Sequence, residues 1–423
     1  MRKHEYKGLD LEYYRETLEN GLEVILIPME EKKNYFITYA TRFGSDITTF
    51  KPKDADDYIT VPTGVAHFLE HKMFEEPDGM DPFTFFSKSG TGSNASTTYN
   101  HTQYICYGTK NFNENLRYLI KFVNNPYYTN ENVEKEKGII TQELKMYNDM
   151  PDFQLEMKLR QNVYHELPRR IDIGGSIEDV NRITKEDLYD CYNNFYSPNN
   201  MFIVIAGNFN PKEAIRTIIE ELELKENVDY PEIKRIYEKE SVRKRDDTIK
   251  ANVEVPKVAL ALKIKQENLE MTDKFNLGLY LSMLSAILFG SASLFKERVM
   301  EEKLMSGMIC DWETTDEFKT MYLMAESEKP LDLLDEIKKE LKEVNLDEQT
   351  FERIKKVWIA NEVRSTDDVE AMVYSAFDDM LYTKEVINDK IDRVRNMKFE
   401  VLENLIKKID FNNIASIIMY PSK

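Results

Sequence analysis

The sequence predicts an α+β protein of two related domains in tandem, each of about 200 residues. Three observations predict it. Helix-like and strand-like segments come in runs rather than in strict alternation, which favours α+β over a doubly wound parallel sheet. Residues 226–250, ENVDYPEIKRIYEKESVRKRDDTIK, are dense in charge and include Pro231, so they read as a linker between a first domain, 1–225, and a second, 251–423. Both halves close on an Asn-Asn pair and an apolar strand, NNMFIVIAG at 199–207 and NNIASIIMYP at 412–421. Their separation of about 210 residues is too long for a solenoid and suits a duplicated domain.

The elements follow in order. ENGLEVILIP (19–28) opens with a turn and continues as an apolar run of strand length, and NYFITYATR (34–42) is rich in aromatic and β-branched residues. A polar loop, 44–62, ends at Pro62. GVAHFLEHKMF (64–74) has helical spacing, with Val65, Phe68, Leu69 and Met73 available for a buried face. Residues 93–108 alternate as β structure does, and 112–123 and 131–148 read as helices with Pro126 between them. A helix over 184–195 is opened by Thr184 with Asp187 three residues on, and a buried strand follows at 199–208. Past the linker, VPKVALALKIKQ (255–266) is another strand. Residues 275–295 carry no charge over 21 positions, enough to span a bilayer. They hold four Ser, two Gly and one Asn, however, and 290–293 reads as a turn and helix start, so the expectation is a buried helix of about 15 residues and then a second helix.

Composition narrows the function classes. The chain has 423 residues, 42% hydrophobic and 31% charged, which is globular and argues against wholesale disorder. A net charge of −19 argues against a nucleic-acid partner, whose phosphates need a basic surface. It leaves open either solubility alone or a preference for basic peptides. Cys106, Cys191 and Cys310 are distant from one another and odd in number, so they read as reduced structural thiols of a cytosolic protein. The N-terminal residues lack the apolar core of a secretory signal, and neither a membrane nor an anchor is expected.

The chemistry is concentrated in AHFLEHKMFEE, which contains His67, Glu70 and His71 in the pattern H-x-x-E-H. On a helix, positions i and i+4 share a face, so two imidazoles there can hold one ion. Glu70 projects near the same edge and can take a proton from water activated by the metal without being a ligand. The same two histidines are also compatible with an ordinary amphipathic helix, since a five-residue pattern is weak alone. A catalytic zinc needs a third protein ligand and an open position. With 5 His in the chain, a carboxylate is expected. The helix VEKEKGIITQELKMYNDMPD (133–152) offers Glu136 and Glu143, two turns apart on one face. Glu143 is read as the ligand and Glu136 as a carboxylate that orients a ligand or shapes the proton path.

The wider surroundings of the motif resemble the inverzincin peptidases: pitrilysin, insulin-degrading enzyme and the mitochondrial processing peptidase. The resemblance rests on GVAHFLEHKMFE (64–75), GSNASTTYNHTQY (92–104) and VEKEKGIITQELKMYNDMP (133–151), and continues through 183–208. It covers the first half and, more faintly, the second, and is closest to the family's short bacterial members. It implies that His67, His71 and Glu143 are zinc ligands, one ion per chain. Glu70 then becomes the general base and Glu136 the second family glutamate of that helix. Asn94 and Ala95 align with the Asn-Ala of the strand that meets substrate. The implied fold is half of a clamshell-like peptidase chamber, and the implied activity is zinc-dependent endopeptidase cleavage of peptides or short unfolded segments in a bacterial cytoplasm.

The match departs from the family at one place. Active members usually carry an Arg and a Tyr, seven residues apart, in the half without zinc. In SLFKERVMEEKLMSGMICDW (293–312) those positions hold Met300 and Gly307, and Arg298 is out of register. The resemblance therefore implies a partner: a related two-domain chain lacking H-x-x-E-H in a heterodimer, with a homodimer as the alternative. A non-catalytic structural or peptide-binding subunit on the same fold is the competing function.

Overall fold

The computed structural model describes residues 1–422 apart from 54, 78, 223, 224 and 292. By contact the chain divides into two compact units, each drawn from three segments. The first is Met1–Lys145, Ile171–Arg235 and Glu362–Lys390, and the second is Met146–Arg170, Ile236–Asn361 and Ile391–Lys423.

The first unit is built on a seven-stranded sheet. Across it the strands run Arg2–Glu5, Glu12–Thr17, Glu23–Pro28, Met201–Gly207, Tyr35–Thr41, Thr102–Gly108 and Gly92–Thr97. All neighbours are antiparallel except Glu23–Pro28 and Met201–Gly207, which are parallel. The two central strands, Met201–Gly207 and Tyr35–Thr41, are buried along their whole length. Such continuous apolar runs signal a sheet covered on both faces. Side chains alternate between the two cores. Val24, Leu26, Ile37, Tyr39, Ile203 and Ile205 join the core formed with helices Val65–Lys72, Phe112–Val123, Lys185–Phe195 and Pro211–Leu222. Ile25, Ile27, Phe36, Ala40, Phe202 and Val204 pack instead under helix Val369–Thr383, through Met372, Val373, Ala376, Phe377 and Met380. Helix Lys185–Phe195 opens with the expected reciprocal cap between Thr184 and Asp187.

The second unit carries a five-stranded sheet in the order Asp246–Ala251, Ile414–Pro421, Lys257–Lys265, Phe318–Glu326 and Gly307–Thr314. Its first pair is parallel and the rest are antiparallel. This repeats, strand for strand, the last five strands of the first sheet, including the parallel pair. The duplication is therefore visible in topology where the sequence preserves it only at the two Asn-Asn ends. One face packs on helix Lys274–Phe289, which ends at Gly290, and Ser293 then caps helix Leu294–Glu301. The stretch Lys274–Glu301 is apolar and long enough to cross a membrane by composition, and 53% of its most hydropathic window is buried inside this unit. The other face, Ala259, Ala261, Ala415, Ile417 and Met419, lies under helix Pro151–Val163.

The units are thus interleaved in sequence. Each half sends one helix, the one following a long helix, to the sheet of the unit built mainly from the other half. The charged stretch 226–250 contributes to both. Glu232–Ile233 pairs with Thr49–Lys51 in the first unit, and Asp246–Ala251 is a strand of the second.

Candidate metal centre

Helix Val65–Lys72 starts abruptly. Gly64 precedes it at φ +85°, and a Cβ there would lie 2.2 Å from the Gly174 carbonyl oxygen. The turn at 172–175 therefore presses directly on the helix N-terminus, which only glycine allows. From that start the helix buries Val65, Ala66, Phe68 and Leu69 in the core of the first unit. His67 and His71 lie on its opposite edge, with ring centroids 4.5 Å apart.

Helix Asn130–Asn148 supplies the facing carboxylates. It is anchored by Ile140 and Leu144, so Glu136 and Glu143 fall on the anchored side. His67 Nε2 lies 3.9 Å from Glu143 Oε1, and His71 Nε2 lies 3.5 Å from Glu143 Oε2. One ligand atom from each of His67, His71 and Glu143 falls within 4.8 Å of the others. Two imidazoles and one carboxylate so placed are a donor set that could hold one metal ion.

The other ring nitrogen of His71 fixes its orientation. Nδ1 donates to Glu136 Oε1 at 3.0 Å, which leaves Nε2 facing Glu143. Glu136 in turn lies 3.7 Å from the ammonium of Lys72, a side chain almost wholly buried and also paired with Glu75. The electrostatics follow the geometry. Burial and the adjacent His71 push His67 down to about 3, so its imidazole stays neutral and able to bind a cation. Burial also opposes charge on His71, but the Glu136 hydrogen bond and the carboxylates of Glu70, Glu136 and Glu143 outweigh it and raise its pKa. For Glu136, burial is outweighed by His71 and Lys72, and its pKa falls.

Glu70 is buried, and burial raises its pKa above the usual carboxylate value. Its Oε2 accepts a hydrogen bond from Thr97 Oγ1 at 2.7 Å. Asn94 and Ala95 lie on Gly92–Thr97, at the open edge of the sheet and opposite Ile105 and Tyr104. The Ala95 N–H donates to Asn94 Oδ1 at 2.9 Å.

The structure thus brings His67, His71, Glu136 and Glu143 together, and ties Glu70 to Thr97 on the strand that carries Asn94 and Ala95. Two neighbours were not singled out. Lys72 is legible as a charge inside the apolar run FLEHKMF, and Thr97 only from strand alternation once Glu70 is placed. In the second unit, Met300 is half-exposed on helix Leu294–Glu301 and Gly307 begins strand Gly307–Thr314. Arg298 pairs with Glu336 at 2.7 Å, as a solvated helix-face residue does.

Known proteins share this chain's sequence and fold. Residues 60–174 match the model of the insulinase family, peptidase family M16, and residues 182–357 match that of the M16 peptidase inactive domain. The zinc protease YmfH of Bacillus subtilis is 40% identical over 300 residues, covering 70% of each chain. An M16-like peptidase from Alicyclobacillus acidocaldarius superposes with a TM-score of 0.92 at 32% identity, over 99% of this chain and 100% of that one. The periplasmic protease PqqL of Escherichia coli shares the fold at 18% identity and a TM-score of 0.75, with 99% of this chain matching 48% of that one.

Proposed function

Because this chain belongs to the insulinase family of peptidases, M16, we propose that it is a zinc-dependent endopeptidase cleaving peptides or short unfolded segments. The convergence of His67, His71 and Glu143 within 4.8 Å, with Glu70 one residue before His71, carries this reading. Zinc held by those three side chains supplies Lewis acidity that acidifies water and polarises a carbonyl. Glu136 holds His71 in the orientation that presents Nε2. Glu70, sheltered from solvent and raised in pKa, accepts the proton of the attacking water and returns it to the leaving amine. The open edge at Gly92–Thr97 adds an extended peptide as one more strand, which fixes the scissile bond. Asn94 donates its side-chain amide to that peptide once its carboxamide turns from the Ala95 N–H.

The partner forms part of the proposal. Met300 and Gly307 stand where active family members carry an Arg and a Tyr, and Arg298 is committed to Glu336. A matched protein carries about twice this length in one chain. These observations support a heterodimer with a related chain that lacks H-x-x-E-H and brings the missing pair, a homodimer being the alternative. The three cysteines are free, which fits a reducing, cytoplasmic setting.

The test uses protein purified natively from its host, with its mass measured intact. One zinc per H-x-x-E-H chain, and chelator-sensitive cleavage of a quenched peptide library, are expected. Glu70→Gln should keep the zinc and lose several orders of magnitude in kcat, about 10^3-fold or more. Full activity of that variant overturns the assigned base. Absence of both zinc and cleavage favours the non-catalytic subunit.

A further inference from the structure

We infer that Thr97 is a positioning residue for Glu70 and ties the placement of the base to the strand on which substrate docks. The inference rests on the peptidase reading above and adds a residue which that reading does not use. Thr97 ends the edge strand Gly92–Thr97, and its hydroxyl donates to Glu70 Oε2 at 2.7 Å. The bond crosses between two elements, a strand and helix Val65–Lys72, that share no local sequence. Thr97 is itself registered against Thr102, whose hydroxyl donates to the Phe43 carbonyl at 2.9 Å. Thr102 is fully buried, so the partner behind Thr97 is held inside the core.

A carboxylate on a short side chain has two oxygens and a rotatable terminal torsion. With Oε2 accepting from the Thr97 hydroxyl, the plane of the carboxylate is tied to the strand. Asn94 and Ala95 lie three and two residues earlier on the same strand. A peptide added along that edge is therefore held in register with the base through a single segment.

The experiment compares wild type with T97V, which keeps the shape and removes the hydroxyl donor while leaving the Thr97 N–H, and T97S, which keeps the hydroxyl. Zinc content, kcat and KM are measured on natively purified protein. T97V should lose about 10- to 100-fold in kcat, the worth of a hydrogen bond to a charged group, with KM and zinc content unchanged. T97S should recover most of that kcat. A second readout is independent of turnover. In zinc-free protein, the unfolding midpoints of T97V, E70A and the double variant should be non-additive, because the two side chains are directly bonded. Full kcat in T97V, a loss in KM instead, no rescue by T97S, or additive midpoints each overturn the inference while leaving the peptidase reading intact. A wild-type protein with no chelator-sensitive cleavage overturns both.

Discussion

Glu136→Gln isolates what one carboxylate behind a ligand contributes to metal binding. The amide keeps the shape and an acceptor oxygen for His71 Nδ1, but it removes the negative charge that lies 3.0 Å from that nitrogen and 3.7 Å from Lys72. Losing such an outer partner typically lowers metal affinity about 10- to 100-fold. Two effects compete, and pH separates them. At a pH above the raised pKa of His71 its imidazole is neutral in wild type, so there only the loss of orientation and charge is felt and the variant should bind zinc about 10- to 100-fold more weakly. As pH falls, a proton competes for His71, whose pKa Glu136 and its neighbouring carboxylates raise above the ordinary histidine value. Wild-type affinity should therefore begin to fall above that ordinary value, releasing about one proton per zinc bound. Without the Glu136 charge, His71 loses much of what raises it, and its competition begins at lower pH. The wild-type and variant curves should converge toward pH 6. The assay is zinc competition against a chromophoric chelator, with apo-protein at several pH values and calorimetry in two buffers to count protons. Equal affinity above the raised pKa of His71, or parallel curves down to pH 6, would refute the chain from Glu136 through His71 to the metal.

Two further perturbations test the support around the site. Lys72→Met removes an almost wholly buried cation and leaves Glu136 and Glu75 without it. The cost should be about 3 kcal/mol, seen as a thermal midpoint lower by about 6–12 °C in the metal-free protein; an unchanged midpoint would mean the ammonium is dispensable. Gly64→Ala places a methyl 2.2 Å from the Gly174 carbonyl at a positive φ. It should cost about 2 kcal/mol or more and reduce bound zinc, because the helix that carries both histidines must shift; a variant with wild-type stability and full zinc would contradict that close packing.

How far the sequence reveals this molecule depends on the range of the interactions. H-x-x-E-H is a local pattern on one helix, and Glu136 and Glu143 share one face of another, so the members of the site are legible. Their convergence is not, because it needs the turn at 172–175 pressing on Gly64 from over 100 residues away. Thr97 is legible only once Glu70 is placed, for the same reason: its partner is on another element, and threonine in a strand is ordinary. The strand expected over 199–208 occurs as Met201–Gly207, after a 3-10 turn at Pro198–Asn200, and the capped helix at 184–195 and the buried helix within 275–295 follow from local patterns and occur as expected. Helix Val369–Thr383 shows why consecutive segments need not form one unit. Its apolar residues state that it is buried, but nothing in its own sequence says which sheet it covers.

That helix leads to a test of the interleaved fold. A fragment cut at residue 225, where composition changes, keeps all seven strands of the first sheet and both metal-facing helices. It lacks Val369–Thr383, and so bares Ile25, Ile27, Phe36, Phe202 and Val204, all buried in the full chain. Exposing each such side chain costs about 1.5–3 kcal/mol, so the sum rivals the roughly 5–15 kcal/mol by which a domain is stable at all. The fragment 1–225 should therefore be aggregated or loosely packed and bind zinc poorly, despite containing every proposed ligand. Joining residues 362–390 to it through a flexible linker should restore a cooperative thermal transition and zinc binding. If 1–225 alone unfolds cooperatively and binds zinc as tightly as the full chain, the helix is decoration on a self-sufficient domain. If the joined helix rescues it, the metal centre depends on a segment nearly 300 residues downstream of His67, and the two halves of this chain had to be inherited together.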